Sequence, residues 1–250
     1  MAKSGSYRVQ LRRRREGKTD YQARKAMVIS GKPRLVTRGS LKNFSVQILV
    51  AKPRGDVVLA AANSRELIKN YGWMAPTGNV PAAYLTGLLC GLKAKAAGVK
   101  EAILDIGLTA PTKGAKIFAA LDGVLEAGID VPHGEEKIVK ERMKGEHIAK
   151  YAKSLGAGSP EYNAKFSKYA AQSVAPEKIS EHFNKVKAEM TSSFKGGKAA
   201  VEEKKPQVKE KAAPPAEEKV SPKKAVAKPK TATKKTAPKE KAPKKGEKKS

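Results

Sequence analysis

The chain has 250 residues, and its 52 Lys and Arg against 24 Asp and Glu leave a formal net charge of +28. Such a surplus repels itself in a compact state and calls for a polyanionic partner, either nucleic acid or an anionic membrane surface. The single cysteine, Cys90, excludes an internal disulfide framework and a Cys-rich zinc site, as in a protein of a reducing intracellular compartment, and no apolar run approaches the roughly 18 residues of a membrane span.

The charge is concentrated at both ends. Residues 1–42 carry 13 basic and 2 acidic side chains (net +11), residues 43–194 carry 20 and 15 (net +5), and residues 195–250 carry 19 and 7 (net +12). The N-terminus has no apolar stretch after its first charges, which predicts no signal peptide. Its run Tyr7-Arg8-Val9-Gln10-Leu11-Arg12-Arg13-Arg14-Arg15-Glu16 places consecutive cations that point in several directions on any regular element. A helix buried along one face is not built that way. An arm threaded among phosphates is, because guanidinium forks then find acceptors on every side. A solvated charge run is the plainer alternative. We delimit the arm as residues 1–32.

An α/β core is expected over residues 33–133. Leu35 to Thr37, Phe44 to Val50 and Val57 to Ala61 read as strands rich in β-branched residues. Phe44, Val46, Ile48 and Val50 alternate with Ser45, Gln47 and Leu49 to give one fully apolar face, and Lys52-Pro53-Arg54-Gly55-Asp56 supplies a hairpin turn. An antiparallel sheet follows. Ser64 to Tyr71 reads as a short helix with Ser64 as N-cap and Gly72 as stop. Asn79-Val80-Pro81 opens a longer helix to about Ala97, with Val80, Tyr84, Leu88 and Leu92 recurring every fourth residue. Glu101 to Ile106 is a buried strand, and Lys116 to Ala127 an amphipathic helix. The fold class is α/β (α+β): a mixed, largely antiparallel sheet covered by helices.

Residues 134–194 are predicted to form a helical extension in about three segments, Glu135 to Leu155, Pro160 to Ser173 and Pro176 to Met190. Their sparse apolar positions imply packing on something outside themselves, either the core or an RNA surface. Beyond Phe194 the chain has no Leu, Ile, Phe, Tyr, Trp or Met, so residues 195–250 are expected to be a disordered Lys/Pro/Ala-rich tail. Its Lys-Pro phrases resemble linker-histone tails.

No constellation argues for catalysis. The stretch Gly107-Leu108-Thr109-Ala110-Pro111-Thr112-Lys113-Gly114 lacks the Gly-Lys-Ser/Thr order of a phosphate-hydrolysing loop, although Lys113, Lys116 and the helix start that follows suit an RNA phosphate. Asp105, Asp122, Glu126 and Asp130 are the residue types of a two-metal nuclease, yet on core elements they read as capping and surface charges. His133, His147 and His182 have no metal-pair spacing and no partner nucleophile. Neither enzyme nor cofactor is expected. Tyr71 and Trp73 are the aromatics nearest an RNA-contact role, with packing the better reading.

Several ordered phrases carry a resemblance. Arg12 to Tyr21, Gly31-Lys32-Pro33-Arg34-Leu35-Val36, Tyr71-Gly72-Trp73 with Ala75 to Asn79, Ala83 to Leu89, and Ile103 to Leu108 through Pro132-His133 resemble, over about residues 7–190, the archaeal form of large-subunit ribosomal protein number eighteen, called number five in eukaryotes. The resemblance implies a cytoplasmic, ribosome-bound protein of the central protuberance with an α/β domain and a basic arm along RNA. Its implied partners are 5S rRNA, large-subunit rRNA and the ribosomal protein number five of bacterial nomenclature, with no membrane role. Gly39-Ser40-Leu41-Lys42-Asn43 departs from the family phrase at the entry to the second strand. On this reading the phosphate contacts are Arg8, Arg12, Arg13, Arg14, Arg15, Lys18, Arg24, Arg34 and Arg38, with Lys113 and Lys116 weaker. The competing reading is a chromatin-like protein that binds DNA through its tail.

Overall fold

The computed structural model describes residues 5–6, 8–156, 158–172 and 174–195. The tail expected beyond Lys195 lies outside them. A one-turn helix, α1 (Arg12–Arg15), and a second helix, α2 (Tyr21–Ile29), form the N-terminal arm, and neither contributes a buried residue. The Asp20 carboxylate caps α2, accepting from the Gln22 and Ala23 N–H groups at 2.9 and 3.2 Å.

Four strands follow in a sheet of order β3-β2-β1-β4: β1 (Arg34–Gly39), β2 (Phe44–Lys52), β3 (Gly55–Asn63) and, after two helices, β4 (Ile103–Asp105). The first three are antiparallel, with Pro53 and Arg54 as the two-residue turn between β2 and β3. β4 joins β1 in parallel, so the sheet is mixed, and it is shorter than the predicted stretch from Glu101 to Ile106. Phe44, Val46 and Ile48 are buried as the alternation requires, but Leu49 is buried too while Val50 is only partly so. Leu49 lies on the opposite face beside Arg34 of β1, where residues of the arm line the same cleft. Opposite it the register slips: Ile48 pairs with Ala60 and Leu49 with Val58, leaving Leu59 of β3 as a bulge.

Helices α3 (Ser64–Tyr71) and α4 (Val80–Ala96) come between β3 and β4, and α5 (Lys116–Glu126) comes after β4. The N-cap of α3 is Asn63, one residue before the expected Ser64, and it forms a capping box with Glu66. Ser64 is spent elsewhere, its buried hydroxyl accepting from the Phe44 N–H at 2.9 Å. Every residue of α4 from Val80 to Gly91 is buried, because the helix lies between the sheet, α5 and the C-terminal helices. A stripe at every fourth position describes only one side of it. α4 and α5 meet at their backbones: a Cβ on Gly87 would overlap the Ala120 carbonyl oxygen, and one on Gly123 that of Tyr84.

The segment from Glu135 to Leu155 is broken into a 3-10 turn at Glu135–Lys137, α6 (Lys140–Met143) and α7 (Glu146–Leu155). The break is Gly145, at φ +83° with Pro81 and Ile179 against its Cα, a place with neither the dihedral nor the room for a helical side chain. α8 (Pro160–Ala171) and α9 (Ile179–Lys195) complete the chain described. Of the two surfaces open to these helices, they take the core: Met143, Ala152, Phe166, Tyr169, Ile179, Phe183, Val186 and Met190 are buried in the same apolar cluster as Leu35 and Leu88. Trp73 is 1% exposed and stacks on His182 of α9 at 5.0 Å, so it serves packing.

Candidate nucleic-acid interface

The sheet face opposite α4 and α5 carries alternating charge. On β1, Arg34 and Arg38 share this face, four residues apart with Val36 between them, and parallel pairing with β4 sets Asp105 beside them. Asp56, at the start of β3, reaches the same face from the other side. The result is a ladder of five side chains. Arg24 of α2 grips Asp56 with two parallel bonds of 2.7 and 3.0 Å; Asp56 accepts from Arg34 at 2.8 Å; Arg34 donates to Asp105 at 3.0 Å; and Asp105 accepts from Arg38 at 3.0 Å. Three cations against two anions leave one net positive charge.

Exposure separates the three arginines. The Arg34 side chain is 2% exposed, against 36% for Arg24 and 45% for Arg38. Arg34 therefore points into the protein and is held there by two carboxylates, and its Nε atom is buried without a hydrogen-bond partner. The Arg24 hydrogen bond, with the charges of Arg24 and Arg34, holds the Asp56 carboxyl below the usual carboxylate range, while burial opposes this. The same bond raises Arg24. The ladder thus clamps α2, and the arm with it, onto the sheet.

The other predicted contacts fall into two groups. Arg8, Arg12, Arg13, Arg14, Arg15 and Lys18 are all exposed along the arm. Arg12 meets Glu16 only at 3.8 Å, Lys18 pairs with Glu16 at 2.9 Å, and Arg13 donates to the Thr19 hydroxyl at 2.8 Å. Among the described residues, Arg8, Arg14 and Arg15 make no ion pair with a carboxylate. Arg13, Lys18, Arg24, Arg34 and Arg38 line one cleft of about 800 Å³ between the arm and the sheet. Lys113 and Lys116 do not line it. Lys113 is exposed in the loop before α5, and half-buried Lys116 lies beside the tip of the β1–β2 hairpin with Lys42. Within that loop the Gly114 N–H is used by the Lys137 carbonyl at 3.0 Å.

Sequence reasoning gave Asp56 a place in the hairpin turn and assigned Asp105 to capping or surface charge. Asp105 is 7% exposed, accepts from Arg34, Arg38 and the Gly107 N–H, and is the pivot of the ladder. An acidic residue within the apolar phrase Ala102 to Ile106 is itself a signal, since a carboxylate in a buried strand needs a cation. Its identity depends on strand order, which the phrase does not contain. Glu126 pairs with Lys187 of α9 at 2.6 Å, and burial raises the Asp122 carboxyl. Among the described residues, no three His, Cys, Asp or Glu side chains are grouped to hold a metal ion, and no helix is long and apolar enough to cross a membrane. The Cys90 thiol is buried and pushed up to about 12 by desolvation, which makes it inert.

Comparison with known proteins bears on this arrangement. The family described as ribosomal large subunit proteins 60S L5 and 50S L18 matches residues 5–100 and 92–134, which takes in the arm, the whole sheet and the ladder. The large ribosomal subunit protein uL18 of Caldivirga maquilingensis is 50% identical over 205 residues, 81% of this chain and 99% of the relative. That of Staphylothermus marinus is 51% identical over 197 residues, 78% of this chain and 98% of the relative.

Proposed function

The chain belongs to the family of ribosomal large-subunit proteins 60S L5 and 50S L18, and from that premise we propose that it binds 5S rRNA and helps attach it to large-subunit rRNA in the central protuberance. It is a structural constituent of the large ribosomal subunit and not an enzyme. The observation that carries the binding proposal is the state of the arm cations. Arg12, Arg13, Arg14 and Arg15 form a single exposed turn whose only carboxylate partner among the described residues is Glu16. Among the described residues that one carboxylate stands against four guanidinium groups, whereas the ladder behind the turn is nearly neutral and anchors it.

We assign the work accordingly. Arg8, Arg12 to Arg15 and Lys18 contact phosphates; Arg24 and Arg34 hold the arm in register; Lys113 and Lys116 add weaker contacts from the far side of the β1–β2 hairpin. Phosphate contacts of this kind position the protein, while shape and 2′-hydroxyl contacts supply selectivity for folded RNA. Residues 1–32 then act as the RNA arm, 33–133 as the core that presents it and 134–194 as a brace on that core. The proposed neighbours are large-subunit rRNA and the ribosomal protein numbered five in bacteria, in the cytoplasm.

Salt titration of 5S rRNA binding tests the arm. Each phosphate neutralised contributes about 0.7 to 0.9 to the slope of log affinity against log salt, so replacing Arg12 to Arg15 with alanine is expected to flatten that slope by about 3. An unchanged slope sinks the assignment. Circular dichroism distinguishes this from misfolding, because none of the four is buried.

A further inference from the structure

Arg38 is set apart from the arm cations by how it is held. Its Nη1 donates to the carbonyls of Thr37 and Asp105, both at 2.8 Å, and its Nη2 to the Asp105 carboxylate at 3.0 Å. Three of its five N–H groups are therefore committed to the protein, and they fix the guanidinium plane. One face of that plane lies on Gly107. A Cβ built there would stand 2.9 Å from Cζ, 3.0 Å from Nη2 and 3.1 Å from Nη1, and a point nearest the central carbon lies over the face and not at the edge. Gly107 has φ +65° and no side chain, which is what lets the backbone come so close. With three N–H groups committed and one face covered, 45% of the side chain is still exposed, and Arg38 lines the cleft between α2 and the sheet.

We propose that Arg38 is a stacking platform for one unpaired RNA base, which enters the cleft between α2 and the sheet. The inference rests on the 5S rRNA reading and deepens it. The cleft has the volume and lining for such a guest. About 800 Å³ lies within the usual range of small-molecule sites, and Val36, Leu49, Ala26 and Met27 add apolar wall to its charged lining. A phosphate seeks unpaired cations, which the arm offers in Arg13 and the ladder hardly at all; a base seeks a planar cation and apolar contact, and beside the ladder the cleft offers both. Sequence-specific RNA recognition commonly takes this form, with a splayed base stacked on an aromatic ring or a guanidinium plane.

The test uses full-length protein and 5S rRNA, with affinity measured across salt and the RNA bases probed chemically in the complex. Arg38→Lys keeps the charge and loses the plane. Stacking predicts about a tenfold loss of affinity, an unchanged salt slope, and one unpaired nucleotide that becomes reactive while the remaining footprint stays. Ala26→Phe, which narrows the cleft from exposed α2 and replaces no member of the ladder, is expected to expose the same nucleotide. Removing that base from the RNA should abolish the difference between wild type and Arg38→Lys. The inference is overturned if Arg38→Lys binds as wild type, or if affinity falls with no single-nucleotide change. Should Arg38→Lys melt early, Ala26→Phe carries the test alone, and an unchanged footprint overturns the inference. Failure of the wild type to bind 5S rRNA would instead remove the reading on which it rests.

Discussion

Replacing Asp105 with asparagine leaves the side chain's volume almost intact, so the effect reports the charge and its hydrogen bonds. The carboxylate is 7% exposed and accepts from Arg34 Nη1 through one oxygen and from Arg38 Nη2 and the Gly107 N–H through the other. A carboxamide has one acceptor oxygen, so whichever way it turns its NH₂ opposes a donor. Removing one member of a buried pair costs about 3–5 kcal/mol. Arg34 keeps Asp56 at 2.8 Å, which places the expected loss at the low end, about 3 kcal/mol. At about 2–4 °C per kcal/mol for a folded region of this size, the melting temperature should fall by about 6–12 °C. Asp56→Asn is the internal control: its side chain is 24% exposed, water can replace the lost acceptor, and about 1 kcal/mol is expected. Urea unfolding followed by the fluorescence of Trp73, the only tryptophan, measures both. A loss below about 1 kcal/mol for Asp105→Asn, or equal losses for the two, refutes the view that the ladder is anchored on Asp105.

Other consequences are as direct. Gly87→Ala or Gly123→Ala forces the α4 and α5 backbones apart and should cost about 3 kcal/mol or more by the same urea assay, whereas Gly134→Ala, whose added methyl meets nothing within 4 Å, should be neutral. Burial, aided by the charge of Lys185, holds His182 below its ordinary value, and its neutral Nε2 accepts the Met74 N–H at 3.0 Å. Below about pH 6.5 the unfolded chain therefore binds the proton first, so stability is full above that pH and declines as pH falls through it. His182→Gln keeps an acceptor without titrating and should shrink the stability difference between pH 7.5 and 5.5; an unchanged difference argues against the assignment. For Asp56, lowered by Arg24, the contribution is present above about pH 4 and lost as pH falls further, so limited proteolysis should cut the arm more readily in acid.

What was legible in the sequence was whatever depends on neighbours a few residues away. The alternation in Phe44 to Ile48, a turn within Lys52 to Asp56, the helix opening at Asn79-Val80-Pro81, and the stop at Gly72 with φ +60° are local chemistry, and each stands where the residues placed it. Misreadings arose where tertiary context decides. Ser64 and Asn63 are both good caps, and what separates them is the Phe44 N–H, 20 residues away in sequence. The burial of α4 on all sides reflects six neighbouring elements, β2, β3, α3, α5, α6 and α9, and not its own period. The ladder links residues 22 to 71 positions apart, so only the sheet order brings Arg34 to Asp56 and Asp105. For the same reason Arg34, which reads like any other basic residue of the N-terminal segment, turns out to be buried.

The central claim is that function resides in an Arg-rich arm clamped to a folded sheet, and a competition experiment addresses it most directly. 5S rRNA and random duplex DNA compete for the full chain and for a chain ending at Lys195. The account predicts that both forms prefer 5S rRNA by at least about a thousandfold, the lower end of the usual margin of specific over non-specific nucleic-acid binding. Equal affinity for the two nucleic acids, lost when the tail is removed, would contradict it.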